Sequence, residues 1–315
     1  MTGSGRARGS APPSWRPSTL RELTELSGRL KASEMYPAHD PRATQRMLAL
    51  PSGIRVRVVD AGPVDGRPVV LLHGWGAGAY TYRENLPALA AAGLRASAVE
   101  LKGHGLSDKP WAPGEYDFAS MRDHVLEVIG TLGVERPAIV AQSMTGAIAL
   151  ELALGEEARL SRVALINPVG LCAMPLIPFA CALTPSPTVR VAPWLVRRWA
   201  MAAGLRLVYG DPRRVTPRDV DEYWAPSQFP GYARAMRALV HEFRWPPIAS
   251  ERLAALRMPV LTILGSRDRV VRGARPVAER LPGARVVLVP GGGHAVNEEL
   301  PGVVNPVLVN FLRET

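Results

Sequence analysis

At 315 residues the chain is long enough for one large α/β domain, or for a domain that carries an insertion. A hydrophobic content of 47% and a charged content of 21% belong to a soluble globular protein, and no apolar run reaches the roughly 20 residues of a membrane-spanning helix. The net charge of +10 and an isoelectric point near 10.3 raise nucleic acid as a partner. However, the basic residues are nearly all arginines scattered between acids and no nucleic-acid-binding motif is present, so an arginine-biased composition is the better account. An anionic membrane surface stays open as a partner.

The first twenty residues, MTGSGRARGSAPPSWRPSTL, contain arginines but no apolar signal-peptide core. They predict a disordered tail and a cytoplasmic protein. Thr19-Leu-Arg-Glu22 has the pattern of a capping box ahead of leucines 20, 23, 26 and 30, which predicts a short helix packed on the main body. Residues 1–42 are assigned to this tail and helix. Met47–Leu50 and Ile54–Val59 flank Pro51-Ser-Gly53, and the alternation in the second run predicts a half-exposed strand of an antiparallel hairpin.

Short, solidly apolar runs follow at 68–72, 96–99, 138–140, 163–166, 260–264 and 286–289. Strands without alternation are expected to be buried on both faces, as in a parallel sheet covered by helices. Helical patterns near 82–92, 118–132, 144–156, 275–281 and 301–313 complete an alternation that predicts a doubly wound α/β fold. Between Ile166 and Val260 the rhythm lapses. Residues 168–250 are therefore expected to form a mostly helical insertion over the sheet's ligand-binding edge, with the core built from 43–167 and 251–315. Cys172 and Cys181, nine residues apart, fall on opposite sides of a continuous helix; two reduced, buried thiols are the expectation, although Pro175 and Pro178 could bend the segment enough for a bridge.

Ligands of open parallel sheets bind beyond the carboxyl ends of the strands. Four polar elements sit at such ends here: His73-Gly-Trp-Gly76, Ser143, Asp268, and His294 after Gly291-Gly-Gly293. Each alone is ordinary, since an aspartate after a strand is often a helix cap and a histidine after glycines is often a loop residue. Their order along the chain, serine then acid then histidine, all on one edge, is the informative feature.

With these elements, the Gly103-His-Gly-Leu-Ser107 turn and the position of the insertion, residues 45 to 315 resemble the α/β-hydrolase family. The resemblance implies an inserted helical cap, a nucleophile elbow at Ser143, His294 as general base and Asp268 as the acid that orients it. It implies an oxyanion hole from the backbone N–H groups of Trp75 and Met144, with Gly74 and Gly76 allowing close approach of that loop. His73, His104 and Glu100 are expected to be structural. The family's elbow is usually Gly-x-Ser-x-Gly; here Ala141 and Thr145 occupy the outer positions, and Gly146 beside the bulkier threonine is expected to relieve crowding. Relatives that open epoxides or cleave carbon–halogen bonds use a carboxylate nucleophile, which Ser143-Met144 does not provide. Other relatives place the acid after the strand that precedes the cap, where Asn167 cannot act as a carboxylate.

No metal cluster or dinucleotide fingerprint appears, so no metal or cofactor is expected. The leading expectation is a serine hydrolase acting on a small, apolar acyl ester through an acyl-enzyme. The alternatives are a hydrolase of carbon–carbon bonds in ring-fission dienones, with Arg190, Arg197 and Arg198 as candidate partners for a substrate carboxylate, and a slow or non-catalytic receptor on the same scaffold. Leu171–Leu183 is a candidate lining for an acyl pocket. Trp194, Trp199 and Leu205 are candidate membrane contacts, although packing of the insertion against the core is the more common explanation of such residues.

Overall fold

The computed structural model describes residues 32–187, 196–229, 231–243, 245 and 247–314. The helix expected from Thr19, together with Arg190 and Trp194, lies outside the described residues. Within them, β1 (Thr44–Ala49), β2 (Arg55–Ala61), β3 (Arg67–Leu72), β4 (Leu94–Val99), β5 (Ala138–Gln142), β6 (Val163–Ile166), β7 (Val260–Gly265) and β8 (Arg285–Val289) form one sheet in the order β1-β2-β4-β3-β5-β6-β7-β8. β1, β2 and β4 pair antiparallel, and every pairing from β4 to β8 is parallel. This is the expected α/β-hydrolase type of sheet, mostly parallel with an antiparallel lead-in.

Helices cover both faces. They are α1 (Asn85–Ala91), α2 (Phe118–Leu132) and α3 (Met144–Gly155) between the early strands, and α9 (Ala274–Ala278), α10 (Val296–Glu299) and α11 (Pro301–Arg313) around the last two. Successive side chains of a strand point to opposite faces, and the two cores show this directly. Val70, Leu72, Ile139 and Ala141 join α2 and α3 on one side, whereas Val69, Leu71, Ala138 and Val140 join α1 and α11 on the other. Local chemistry explains where α2 begins and ends. The Asp117 carboxylate accepts the Ser120 N–H at 2.7 Å, and Gly133 closes the helix in the left-handed region at φ 63°.

Between β6 and β7 the described chain is helical: α4 (Leu176–Leu183), α5 (Arg198–Val208), α6 (Pro217–Trp224), α7 (Tyr232–Glu242) and the single turn α8 (Ser250–Leu253). α6 starts with a full capping box, Thr216 and Asp219 each accepting the other's backbone N–H, with Pro217 at the first helical position.

Three expectations need correction. β2 is not half-exposed: it is buried nearly throughout, and the exposed edge strand is β1. The alternation misled because Arg57 is itself buried, its guanidinium paired with Glu100 at 2.7 Å across to β4's end. β8 is not buried on both faces either; as the last strand of the sheet it is partly exposed along most of its length. Finally, Cys172 and Cys181 are unpaired as expected but only half-buried.

Candidate active site

The carboxyl edge of the sheet gathers all four polar elements. At the end of β5, Ser143 adopts φ 55°, ψ −118°, a conformation that L-residues rarely take, and hands the chain directly to α3. Hydrogen bonds overdetermine this strained turn. The Ser143 N–H donates to Ile166 O at 3.0 Å, while Ser143 O accepts from Gly146 N and Val169 N, both at 2.9 Å. A side chain at Gly146 would meet Pro168, with Cβ atoms about 2.5 Å apart, so glycine there lets α3 close against the chain leaving β6. Thr145 does not crowd the turn. It is fully buried, and its hydroxyl faces Leu72 O at 2.8 Å and Gln142 O at 3.0 Å, tying α3 to the ends of β3 and β5.

Ser143 Oγ lies 2.8 Å from His294 Nε2, and His294 Nδ1 lies 2.9 Å from Asp268 Oδ2. The other Asp268 oxygen accepts the N–H groups of Val270 (2.7 Å) and Val271 (3.0 Å), so the carboxylate is held from both sides. All three side chains are almost wholly buried. The loop after β3 abuts the serine: a Cβ on Gly74 would sit 2.9 Å from that of Ser143, and Gly76 takes φ 72°. Met144 is the first residue of α3, where an N–H has no acceptor inside the helix. The Trp75 indole donates to Met236 O of α7 at 3.1 Å, which anchors that loop to the helices above it.

His73 is fully buried, and that burial lowers its pKa. Its Nε2 accepts the Leu101 N–H at 3.1 Å, so Nδ1 carries the proton and donates to Gly74 O at 2.8 Å. With both nitrogens committed to backbone, it braces the loop rather than serving a substrate. His104 is buried beside it, ring centroids 4.7 Å apart, with its pKa pushed well down by burial and by His73. Glu100 is also internal; burial works against its charge, and Arg57 together with the N–H groups of Leu106 and Ala79 outweighs that and lowers its pKa.

Several positioning groups escaped the sequence reading. Asn167, singled out only as not a carboxylate, donates to Gly293 O and His294 O at 2.9 Å each and accepts the Gly265 N–H at 2.9 Å. The His294 N–H donates to Val208 O at the end of α5, 2.7 Å away. Glu299 accepts N–H groups from Gly210 (2.7 Å), Asp211 (3.3 Å) and Gly293 (2.9 Å), while burial raises its pKa. Glu298 pairs with Arg83 at 2.6 Å and accepts the hydroxyls of Thr81, Tyr209 and Tyr223. Burial raises both phenols, keeping them protonated donors. The available signal was the acidic pair four and five residues beyond the histidine, but the partners of Glu298 lie 75 to 217 positions away, and Glu299 reaches Gly210, 89 positions away, as well as nearby Gly293.

Above Ser143 and His294 opens a cavity of about 540 Å³, roofed by α4, α5 and α7. Its lining is mainly apolar and includes Ala180 and Leu183 of the segment anticipated as an acyl lining. Arg197 and Arg198 are not part of it; Arg198 is paired with Asp221 at 2.6 Å instead. Among the described residues, the arginine that lines it is Arg237, whose guanidinium donates to Thr184 O at 2.8 Å and Ser186 Oγ at 3.4 Å. Among the described residues no group of three or more His, Cys, Asp and Glu is arranged to hold a metal, and no helix is long and apolar enough to cross a membrane.

With this geometry in view, residues 69–307 match the model of the alpha/beta hydrolase family, and the chain belongs to that family. A haloalkane dehalogenase of Mycobacterium marinum is 29% identical over 241 residues, covering 73% of this chain and 79% of the relative. Among solved structures, a 2-hydroxy-6-oxo-6-phenylhexa-2,4-dienoate hydrolase from Rhodococcus aligns with TM-score 0.73 at 24% identity over 86% of this chain and 100% of that one. A carboxylesterase from Bacillus subtilis aligns with TM-score 0.73 at 18% identity over 93% and 97%. These two likenesses describe the fold.

Proposed function

We propose that the protein is a serine hydrolase that cleaves a carboxylic ester through an acyl-enzyme. The observation that carries this reading is the Ser143–His294–Asp268 chain, with contacts of 2.8 and 2.9 Å and the serine held in its strained turn. A serine hydroxyl becomes nucleophilic when a base removes its proton as it attacks. His294 takes that proton at Nε2 and later delivers it to the leaving alcohol, and Asp268 stabilises the imidazolium through Nδ1–H. The oxyanion is met by the backbone N–H groups of Met144 and Trp75, each contributing roughly 3 kcal/mol to the transition state. Water then repeats the sequence on the acyl-enzyme, with His294 again as base. Relatives that open epoxides or remove halide, as the resemblance implies, attack with a carboxylate; serine at position 143 supports acyl chemistry instead. The mainly apolar cavity fits an acyl chain.

The test is labelling by a fluorophosphonate probe together with p-nitrophenyl ester turnover. Mass is expected to be added at Ser143, and Ser143→Ala is expected to lose both label and turnover. An unlabelled wild-type protein with no ester turnover would remove the proposal. Arg237 in the cavity wall, bonded to neutral oxygens, favours a second reading in which the substrate carries a carboxylate and the bond cleaved is carbon–carbon. Turnover of a vinylogous diketone acid in preference to short esters would decide for it.

A further inference from the structure

The cavity over Ser143 is mainly apolar, yet Thr81, Tyr223 and Glu298 line it too. Glu298 lies four residues beyond His294 on α10, Thr81 stands in the turn after the Gly74–Gly76 loop, and Tyr223 comes from α6. The two oxygens of Glu298 serve different sides. Oε2 accepts an Arg83 N–H at 2.6 Å and the Tyr209 hydroxyl at 3.2 Å, and neither of those residues lines the cavity. Oε1 accepts the hydroxyls of Thr81 at 2.7 Å and Tyr223 at 2.5 Å, and both of those residues do. A carboxylate has about four lone-pair sites, so these four donors fill it.

A hydroxyl has a single proton to give. With those of Thr81 and Tyr223 committed to Glu298, their oxygens offer a ligand only lone pairs, and burial keeps the Tyr223 phenol protonated. This polar part of the wall therefore accepts hydrogen bonds and donates none. Arg83 is shared between Glu298 at 2.6 Å and Asp219 at 2.9 Å, so one cation faces two buried carboxylates and the local charge opposes an anionic ligand. In the ester reading His294 protonates the leaving oxygen, so the alcohol half of the substrate lies on the side of His294 and α10. We propose that Thr81, Tyr223 and Glu298 form a subsite selecting esters whose alcohol half carries a hydrogen-bond donor, either a hydroxyl or a protonated amine; this rests on the ester reading. The apolar lining, with Ala180, Leu183 and Val240, takes the acyl chain. A site built to bond a substrate O–H or N–H rejects the analogue that lacks it far more strongly than an apolar pocket rejects a missing methylene.

The experiment compares butyrate esters of matched shape: 2-hydroxyethyl with propyl, 3-hydroxypropyl with butyl, 4-hydroxybutyl with pentyl, and protonated 2-(dimethylamino)ethyl with 3-methylbutyl. The 2-methoxyethyl ester, which only accepts, is set against butyl. The ratio of kcat/KM within each pair is read for wild type, Tyr223→Phe and Glu298→Gln, and the ratio of Kd for Ser143→Ala. Wild type is expected to favour a donor-bearing ester over its match at least tenfold, with no preference for 2-methoxyethyl. A preference confined to the hydroxyalkyl esters identifies a neutral donor, and one confined to the amine a cationic donor. Tyr223→Phe is expected to lower the preference at least fivefold. In Glu298→Gln, Arg83 and Tyr209 hold the amide oxygen, so the NH2 group faces Thr81 and Tyr223 and turns their protons toward the cavity; 2-methoxyethyl is then expected to gain at least fivefold over butyl. Absence of any tenfold preference in wild type, or ratios unchanged in both variants, overturns the proposal. If the ester reading itself fails, wild type hydrolyses none of these compounds, and the Kd ratios on Ser143→Ala still decide for or against the subsite.

Discussion

Replacing Thr145 by the glycine usual in the family is expected to weaken this protein rather than improve it. Thr145 is fully buried in the first turn of α3, and its hydroxyl bonds the ends of two strands. Losing that hydrogen bond costs about 1 kcal/mol. Removing the buried methyl costs about 1 kcal/mol more, and glycine in place of threonine in a helix adds a few tenths. Leu72 O keeps the Tyr82 hydroxyl at 2.8 Å, so that acceptor is not orphaned. The expected loss for Thr145→Gly is therefore about 2 kcal/mol, and Thr145→Ser should recover about half of it. Equilibrium urea unfolding measures both. A Thr145→Gly variant as stable as wild type would refute the claim that the threonine ties α3 to the sheet.

Other substitutions probe separate parts of the fold. Glu100→Gln leaves the Arg57 guanidinium buried without its counter-charge and should cost about 3–5 kcal/mol in urea unfolding. His124 is held neutral by burial, its pKa lowered to about 3 from 6.5. The stability this contributes is present above pH 6.5 and is lost as pH falls below it, so between pH 7 and 5 wild type should lose about 2 kcal/mol more than His124→Asn. Parallel pH profiles for the two proteins would contradict this. Glu299→Gln turns an amide donor toward N–H groups of Gly210 or Gly293, beside the histidine loop. Ester turnover should fall about tenfold or more in kcat with KM little changed, because sub-ångström misplacement of a base is costly; an unaltered kcat would exclude a positioning role.

The interior parallel strands were legible because burial on both faces writes an unbroken apolar run, and α2 and α11 were legible to the residue because their ends and periodicity agree. The candidate site was legible because its members stand at strand ends, where topology alone brings them to one edge. Arg57 illustrates what could not be read: a charge in an apolar run looks solvent-facing until its partner, 43 residues on, is known. The same holds for Asn167, whose backbone partners all come from distant loops, and for Glu299, which joins Gly293 near it in sequence to Gly210 and Asp211 far from it. The exposure of Leu176, Phe179 and Leu183 on α4 was hidden for the opposite reason, since an apolar helix in sequence announces burial, and only coordinates show these three side chains more than half exposed.

Gly210, Gly265 and Gly293 meet backbone to backbone, so closely that a methyl group on any of them would overlap its neighbours, and the His294 N–H is bonded across this junction to Val208. The end of α5 is thus bolted to the loop that carries the imidazole, and swinging that helix aside would pull His294 away from Ser143. For anyone exchanging roofs between relatives, a splice beyond Asp211 that keeps the native glycine junction should preserve the Ser143–His294–Asp268 contacts, whereas one that brings in foreign residues 208–211 should not.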